Sequence, residues 1–323
     1  MKALIERDDR LVWDDVPDPS VKPKDVLIGV QATAVNRADL VQRAGLYPPP
    51  PGASPILGLE CAGVVARVGT AVTRFKPGDT VCALLTGGGY AEYVSTPESS
   101  VLPAPKGVST LHAAGLPEVW ATAWLNLVSE AQVRSGEFAL IHAAGSGVGT
   151  AAIQLLKQRG VRCFVTAGCD EKIARCLSLG AEAGHNRTHG SFLGPLREWS
   201  ADGVDAILDP VGADYLSDNV RALRRGGRLV LIGLLSGRRA DLDLGRVLTR
   251  RLRVIGSVLR SRTEDERGRV VQGLLEDVWP QFLTGDLAPI VDAVYTVDQA
   301  DEAHQRLRDN LNFGKVLLKM PDC

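Results

Sequence analysis

Phe138-Ala-Leu-Ile-His-Ala-Ala-Gly145-Ser-Gly147-Val-Gly149-Thr-Ala-Ala152-Ile-Gln154 joins a short apolar run to a turn of small residues, then to an apolar-periodic stretch from about Gly147 to Arg159. Such an order reads as strand, turn, helix. Glycines let the backbone approach a pyrophosphate, and a helix N-terminus offers it free N–H donors and positive potential. Gly147, Gly149 and Ala152 give G-x-G-x-x-A rather than G-x-G-x-x-G, so a tight strand–helix connection is the alternative reading of the turn alone. Its surroundings decide.

Downstream, β-rich runs alternate with helical periodicity. Residues 161–166 read as a strand, 171–179 as a helix and 183–186 as a short strand end. Residues 204–209 form the next strand, closing on Asp209-Pro210-Val211-Gly212; a helix over 215–223 and strands over 228–233 and 252–258 follow. Alternation of this kind predicts an α/β fold, a doubly wound six-stranded parallel sheet covered on both faces. Ligands of such sheets bind beyond the strand carboxyl ends.

The 323-residue length suits two domains. Hydrophobic content of 45% and charged content of 23% suit a globular chain, and a net charge of −1 offers no basic field for nucleic acid or a membrane surface. No apolar run is long enough to span a membrane, and Met1-Lys-Ala-Leu-Ile5 lacks a signal peptide's apolar region, so a cytoplasmic location is expected.

Residues 25–105 have another texture, with short β-rich runs at 26–35, 63–68, 80–84 and 89–94 between Gly, Pro and Asp. After the sixth strand, helical periodicity over 265–282, a β run at 290–295, a helix near 299–309 and a strand at 315–318 return to mixed character. The expected division is a β-rich domain over 1–117, rejoined by 262–323, and a dinucleotide-binding domain over 118–261, with a small-molecule cleft between them.

These residues resemble a known superfamily, the medium-chain dehydrogenases/reductases, over nearly the whole chain. Val35-Asn36-Arg37-Ala38-Asp39-Leu40, Gly45-Leu46-Tyr47-Pro48 through Ser54, and Leu57-Gly58-Leu59-Glu60 are similar to its zinc-free quinone oxidoreductases. Within them the resemblance is strongest to the tumour-suppressor-inducible NADPH quinone oxidoreductases and their bacterial relatives. Gly87-Gly88-Gly89-Tyr90-Ala91-Glu92-Tyr93-Val94, Pro117-Glu118-Val119-Trp120 and Gly314-Lys315-Val316 extend the match. It implies a GroES-like catalytic domain beside the Rossmann domain. Zinc-dependent members carry Gly-His-Glu where this chain has Gly58-Leu59-Glu60, and leucine binds no metal. Among Cys61, Cys82, Cys163, Cys169, Cys176 and Cys323 there is no C-x-x-C pair, and the histidines show no ligand spacing, so no metal is expected.

Without a Lewis acid, the chemistry suits an acceptor that delocalises the charge of an incoming hydride, a quinone or an activated enone. Tyr47 matches a tyrosine associated with the family active site; its hydroxyl either orients the substrate carbonyl or its ring packs on neighbouring prolines. Asn36 either presents its amide to substrate or caps a turn.

NAD sites present an acid about 20 residues beyond the glycine turn to hold the ribose 2′-hydroxyl. Here Thr166-Ala167-Gly168-Cys169 precedes Asp170, whose simplest role is to cap the next helix. Lys172 and Arg187 either hold a 2′-phosphate, favouring NADPH, or are solvated surface cations. The match adds Ser146 with Gly147, Val148 and Gly149 at the turn, Thr122 at the start of the helix after Trp120, and Val211, Gly233, Leu234, Val258 and Leu259 at strand ends. Lys315 is either a surface charge or reaches the ribose or phosphate. No flavin signal accompanies these.

The apolar edge at 252–258 suggests a homodimer that continues the sheet. Three functions compete: an NADPH-dependent quinone reductase, an enoyl or alkenal reductase with the same chemistry, and a crystallin-like protein that binds NADPH with little turnover.

Overall fold

The structure, a computed structural model, describes residues 1–321. It forms two compact units, Met1–Ala121 with the chain from Leu259 onward, and Thr122–Val258. Cys323 lies outside the described residues.

Among the described residues, the second unit holds a six-stranded sheet in the order Ala183–Asn186, Arg162–Ala167, Phe138–Ile141, Val204–Asp209, Leu223–Leu231, Arg253–Gly256. Every pairing is parallel. The expected doubly wound sheet is present, and its strand order reverses beside Phe138–Ile141, where such folds take their ligands. Helix Gly147–Gln158 starts on Ser146, whose hydroxyl accepts the Gly149 N–H at 3.1 Å. It buries Ala151, Ala152, Ile153, Leu155 and Leu156. Leu140, Phe164, Ile207 and Leu229 sit in one buried cluster with Leu196 and Val220. Each such side chain contributes about 1.5–3 kcal/mol.

Two local expectations are corrected. Cys169, in extended conformation, occupies the cap position, and Asp170 is the first residue of helix Asp170–Leu179. Its carboxylate accepts from Asn186 Nδ2 at 3.0 Å, a partner on the neighbouring strand that no local pattern reveals. Thr122 lies within helix Pro117–Trp124 rather than at its start, because Pro117 opens that helix five residues earlier.

The first unit is built on a second sheet. Its main path runs Val291–Thr296, Lys315–Lys319, Asp25–Val35, Glu60–Val68, Thr80–Leu84, Val101–Pro103, and Tyr93–Pro97 pairs with Asp25–Val35. The antiparallel register sets Val316 opposite Val35. Val26, Ile28, Val30, Cys61, Val65, Val81 and Val316 share its core. The strand expected at 89–94 is Tyr93–Pro97, since Gly87 and Gly88 take positive φ and extend the preceding turn. The helix expected over 265–282 is two, Glu264–Asp277 and Trp279–Thr284, split where Pro280 lacks an N–H. An unanticipated hairpin, Lys2–Arg7 with Arg10–Asp15, turns on Asp8 and Asp9 at φ 48° and 61°, a primed turn without its usual glycine. Among the described residues, no helix is long and apolar enough to cross a membrane.

Candidate active site

The first unit gathers a buried charged cluster onto the ends of three adjacent strands. Asn36, at the end of Asp25–Val35, begins the short helix Arg37–Arg43. Its backbone N–H donates to Asp39 Oδ2 at 2.7 Å, which leaves its side chain free for other partners. Nδ2 donates to Glu60 Oε1 at 2.9 Å, and Oδ1 accepts from Lys315 Nζ at 2.7 Å. Asn36 is therefore both a helix start and a hub of the cluster. Lys315 Nζ also meets Glu60 Oε1 at 2.7 Å and the Val35 carbonyl at 3.2 Å.

Those contacts correct the expectation for Lys315. It is buried, not a surface charge, and its three N–H donors are committed within the first unit, leaving none for a ribose or phosphate. An unpaired ammonium there would be costly, and Glu60, with no exposure at all, needs it equally.

Asp39, also fully buried, accepts the Gly58 N–H at 3.0 Å on its second oxygen. Gly58 takes φ 99°, and a Cβ there would stand 2.6 Å from Tyr90 Cδ1, so only glycine fits this turn. Burial pushes Asp39 up to about 6, against the pull of the two N–H donors. The Tyr90 hydroxyl lies 3.4 Å from Asp39 Oδ2 and 3.1 Å from His304 Nε2. Burial pulls His304 down to about 4, so the ring stays neutral near neutral pH.

Glu118 closes the cluster. Its N–H donates to Glu60 Oε2 at 2.9 Å. Burial, then the neighbouring Glu60, pushes its carboxyl up to about 8, so it keeps its proton at neutral pH. Tyr47 is half-buried, and burial followed by Glu118 raises its hydroxyl further, preserving it as a donor. Arg260 lies over the Tyr47 ring, 5.2 Å from its centroid. Asp39, Glu60, Glu118, Tyr90 and Arg260 were not singled out from sequence. Only the quoted segments around Asn36, Glu60, Tyr90 and Glu118 hinted at them, and Arg260 carried no signal beyond following Leu259.

The second unit presents a network that is neutral apart from one carboxylate. Asp209 Oδ1 accepts the N–H groups of Val211 and Gly212 at 2.6 and 3.2 Å. Its Oδ2 accepts from Asn219 Nδ2 at 2.9 Å. Asn219 Oδ1 must then accept from His142 Nε2 at 2.7 Å, which leaves His142 Nδ1 to accept from the Thr166 hydroxyl at 2.8 Å. Burial pulls His142 down to about 4, in keeping with one proton on Nε2. One chain of bonds thus fixes the ends of three neighbouring strands.

Around those ends stand the residues expected at a cofactor. Gly149 is packed so tightly that an added Cβ would lie 2.4 Å from the Ala144 carbonyl oxygen. Ser146 is the helix cap, with Gly147 and Val148 in the first turn. The loops after the fourth and fifth strands bring together Val211, Gly233 and Leu234; a Cβ on Gly233 would meet the Pro210 carbonyl, and one on Gly212 would meet Leu234. Gly168 faces Arg187, whose Nε lies 3.5 Å from where a Cβ would be. Cys169 follows at the helix cap and Lys172 in the first helical turn. With Asp170 held by Asn186, the strand end presents a guanidinium beside a glycine, and this donor set fits a phosphorylated ribose. Thr122 uses its carbonyl to accept from Asn126 Nδ2 at 2.7 Å. Val258 ends the second unit, and Leu259 belongs to the first.

Among the described residues, no group of three or more His, Cys, Asp or Glu has the geometry to hold a metal ion. Leu59 is buried in the core of the first unit.

Comparison with known proteins places these features. Residues 22–106 match the alcohol dehydrogenase GroES-like domain, and residues 147–275 match the zinc-binding dehydrogenase family. The chain is 31% identical over 307 residues to the quinone oxidoreductase of Sus scrofa, covering 94% of this chain and 92% of that protein. A crystal structure of an NAD-dependent alcohol dehydrogenase superposes with a TM-score of 0.87 at 32% identity, covering 99% of this chain and 100% of the other. A mycobacterial protein complexed with NADPH gives 0.85 at 28% identity, covering 96% and 95%. The CurK enoyl reductase gives 0.85 at 27% identity, covering 99% and 98%.

Proposed function

The chain belongs to the medium-chain dehydrogenase/reductase superfamily, with quinone oxidoreductases among its homologues, and on that premise we propose that it is an NADPH-dependent quinone oxidoreductase. The observation that carries the reading is the pairing of two donor sets. One is a glycine turn with Arg187 and, at the second strand end, Asp170 accepting from Asn186; the other is a hydroxyl, Tyr47, kept protonated beside a charged cluster.

When bound, NADPH supplies a hydride and the two electrons it carries. Ser146, Gly147, Val148 and Gly149 hold the pyrophosphate through the helix N-terminus. Arg187, with Lys172, Gly168 and Cys169, receives the 2′-phosphate. Val211, Gly233, Leu234 and Val258 would line the cofactor from the second unit, with Thr122 a further candidate there; Leu259 is a candidate contact in the first. Tyr47 donates its hydroxyl to the acceptor carbonyl, and the Asn36 amide, held by Glu60 and Lys315, fixes the wall of the site. Glu118 holds a proton at neutral pH for return to the reduced product.

The likeness to an enoyl reductase supports a second reading, reduction of an enone or enoyl thioester by the same residues. Either activity belongs to a cytoplasmic enzyme. It works as a homodimer joined through the edge strand Arg253–Gly256, near which Leu244 and Leu248 are 70% and 78% exposed. NADPH oxidation measured with an ortho-quinone, a simple enone and an enoyl thioester tests the choice. The ortho-quinone is expected to give the largest kcat/KM; fastest turnover of the thioester would favour the second reading. Tight NADPH binding with no turnover of any acceptor would leave only a crystallin-like binding role.

A further inference from the structure

Arg260 is 4% exposed, yet its hydrogen bonds among the described residues go to backbone carbonyls rather than to a carboxylate. Its Nε donates to the Thr86 carbonyl at 2.9 Å and its Nη1 makes a long contact of 3.4 Å to the Tyr47 carbonyl. Its Nη2 is buried and has no partner at all. A buried donor left unmade is costly, more so on a cation; Arg224 and Arg267 also leave a buried Nε unpartnered, but among the described residues the unpartnered atom is a terminal guanidinium nitrogen only on Arg260. The guanidinium plane is fixed by Thr86 on one side and by the Tyr47 ring, so the unpartnered, buried N–H is held in one orientation. Fixed donors aimed where negative charge develops are the means by which proteins stabilise an oxyanion without a metal.

We infer that Arg260 is a catalytic residue whose Nη2 donates to the carbonyl oxygen of the conjugated acceptor and holds the oxyanion formed there. The inference rests on the oxidoreductase reading above. In the step, a nicotinamide C–H bond breaks, its electron pair forms the bond from that hydrogen to the acceptor, and a π pair of the conjugated system shifts onto the carbonyl oxygen. The nicotinamide is oxidised, the acceptor is reduced, and the oxygen then takes the proton held on Glu118, which water replaces. Arg260 neither gives nor takes a proton; it supplies charge and a hydrogen bond. Tyr47, in contact with the same guanidinium, supplies the second donor.

Arg260→Met is expected to lower kcat/KM by about 10²–10³-fold, the usual cost of one oxyanion donor, while NADPH affinity by fluorescence titration stays unchanged. Arg260→Lys recovers part of the rate, and millimolar guanidinium restores part of it to Arg260→Ala. A kcat/KM within two-fold of wild type in Arg260→Met would overturn the inference. A binding readout on the unaltered protein covers the case in which these variants fail to fold. Nitrocatechol, an aromatic with vicinal ionisable oxygens, is expected to bind as its coloured anion below its free pKa. Binding in the neutral form, or no binding, would overturn the inference. The two readings separate cleanly. Acceptor turnover that ignores Arg260→Met removes the residue but keeps the function. Anion binding that depends on Arg260, without turnover of any acceptor, removes the function but keeps the site.

Discussion

The nucleotide unit and the first unit solve the same problem, holding polar groups inside apolar packing, in opposite ways. At the strand ends of the nucleotide unit the network is neutral apart from Asp209: His142, Thr166 and Asn219 pass hydrogen bonds among themselves, and the carboxylate faces backbone N–H groups. In the first unit, charge meets charge directly, with Lys315 on Glu60 and Asp39 and Glu118 close by. A neutral network costs little if one bond is lost. A buried ion pair leaves a naked charge when one partner goes. The first arrangement suits a cradle that recognises a cofactor through its backbone; the second suits a site where charge must be met during a reaction.

The sharpest way to break this contrast is Lys315→Met. Stranding Glu60 is expected to cost about 3–5 kcal/mol in urea unfolding, and Glu60→Gln in the same chain should recover part of that. Thr166→Val, in the neutral network, should cost no more than about 1–3 kcal/mol. Equal costs would erase the distinction. Next in size is Tyr47→Phe, expected to lower kcat by about 10²-fold with unchanged NADPH affinity, since only the donor is removed. An unchanged kcat would take Tyr47 out of the site. Arg187→Ala should then weaken NADPH by about ten-fold, a single charge-assisted contact, while NADH affinity holds; equal effects on both would refute the phosphate role.

The smallest effect is on pH dependence. Glu118 is raised from 4.5 to about 8 in the fold, so the folded chain keeps a proton that the unfolded chain has released. Its contribution is fully present below about 4.5 and is lost as pH rises through about 8. Asp39 acts in the same sense between its ordinary 3.8 and about 6. His142 acts oppositely, because its folded value of about 4 lies below 6.5 and its contribution is lost as pH falls. Unfolding midpoints should therefore decline from about pH 6.5 to 8 in the wild type, and Glu118→Gln should flatten that decline.

Legibility followed the same divide. The doubly wound sheet and the turn at Ser146–Gly149 were readable because strand, turn and helix signals lie within one short stretch, and alternation repeats them. The absent acid in the same region leaves Lys172 and Arg187 as either a 2′-phosphate site or surface cations, and the seat of Arg187 beside Gly168 is a product of the fold. The charged cluster was not readable: Lys315 meets Asn36 across 279 positions, and Arg260 meets Tyr47 across 213, separations that only the folded sheet closes. Hence the sequence leaves Lys315 either at the surface or at the cofactor, and the fold puts it on Glu60; local pattern makes Asp170 a cap, and the fold pairs it with Asn186. Asp8 and Asp9 hid a hairpin because acids there adopt the left-handed turn usually given to glycine.

The proposed reading requires that hydride pass directly from NADPH to a conjugated carbonyl acceptor. Single-turnover oxidation of NADPH deuterated on the transferred side of C4, with an ortho-quinone as acceptor, tests it most directly. The expected result is a normal primary isotope effect with one acceptor reduced per NADPH consumed. The same rate for both isotopologues in the chemical step, or NADPH loss without matching acceptor reduction, would contradict it.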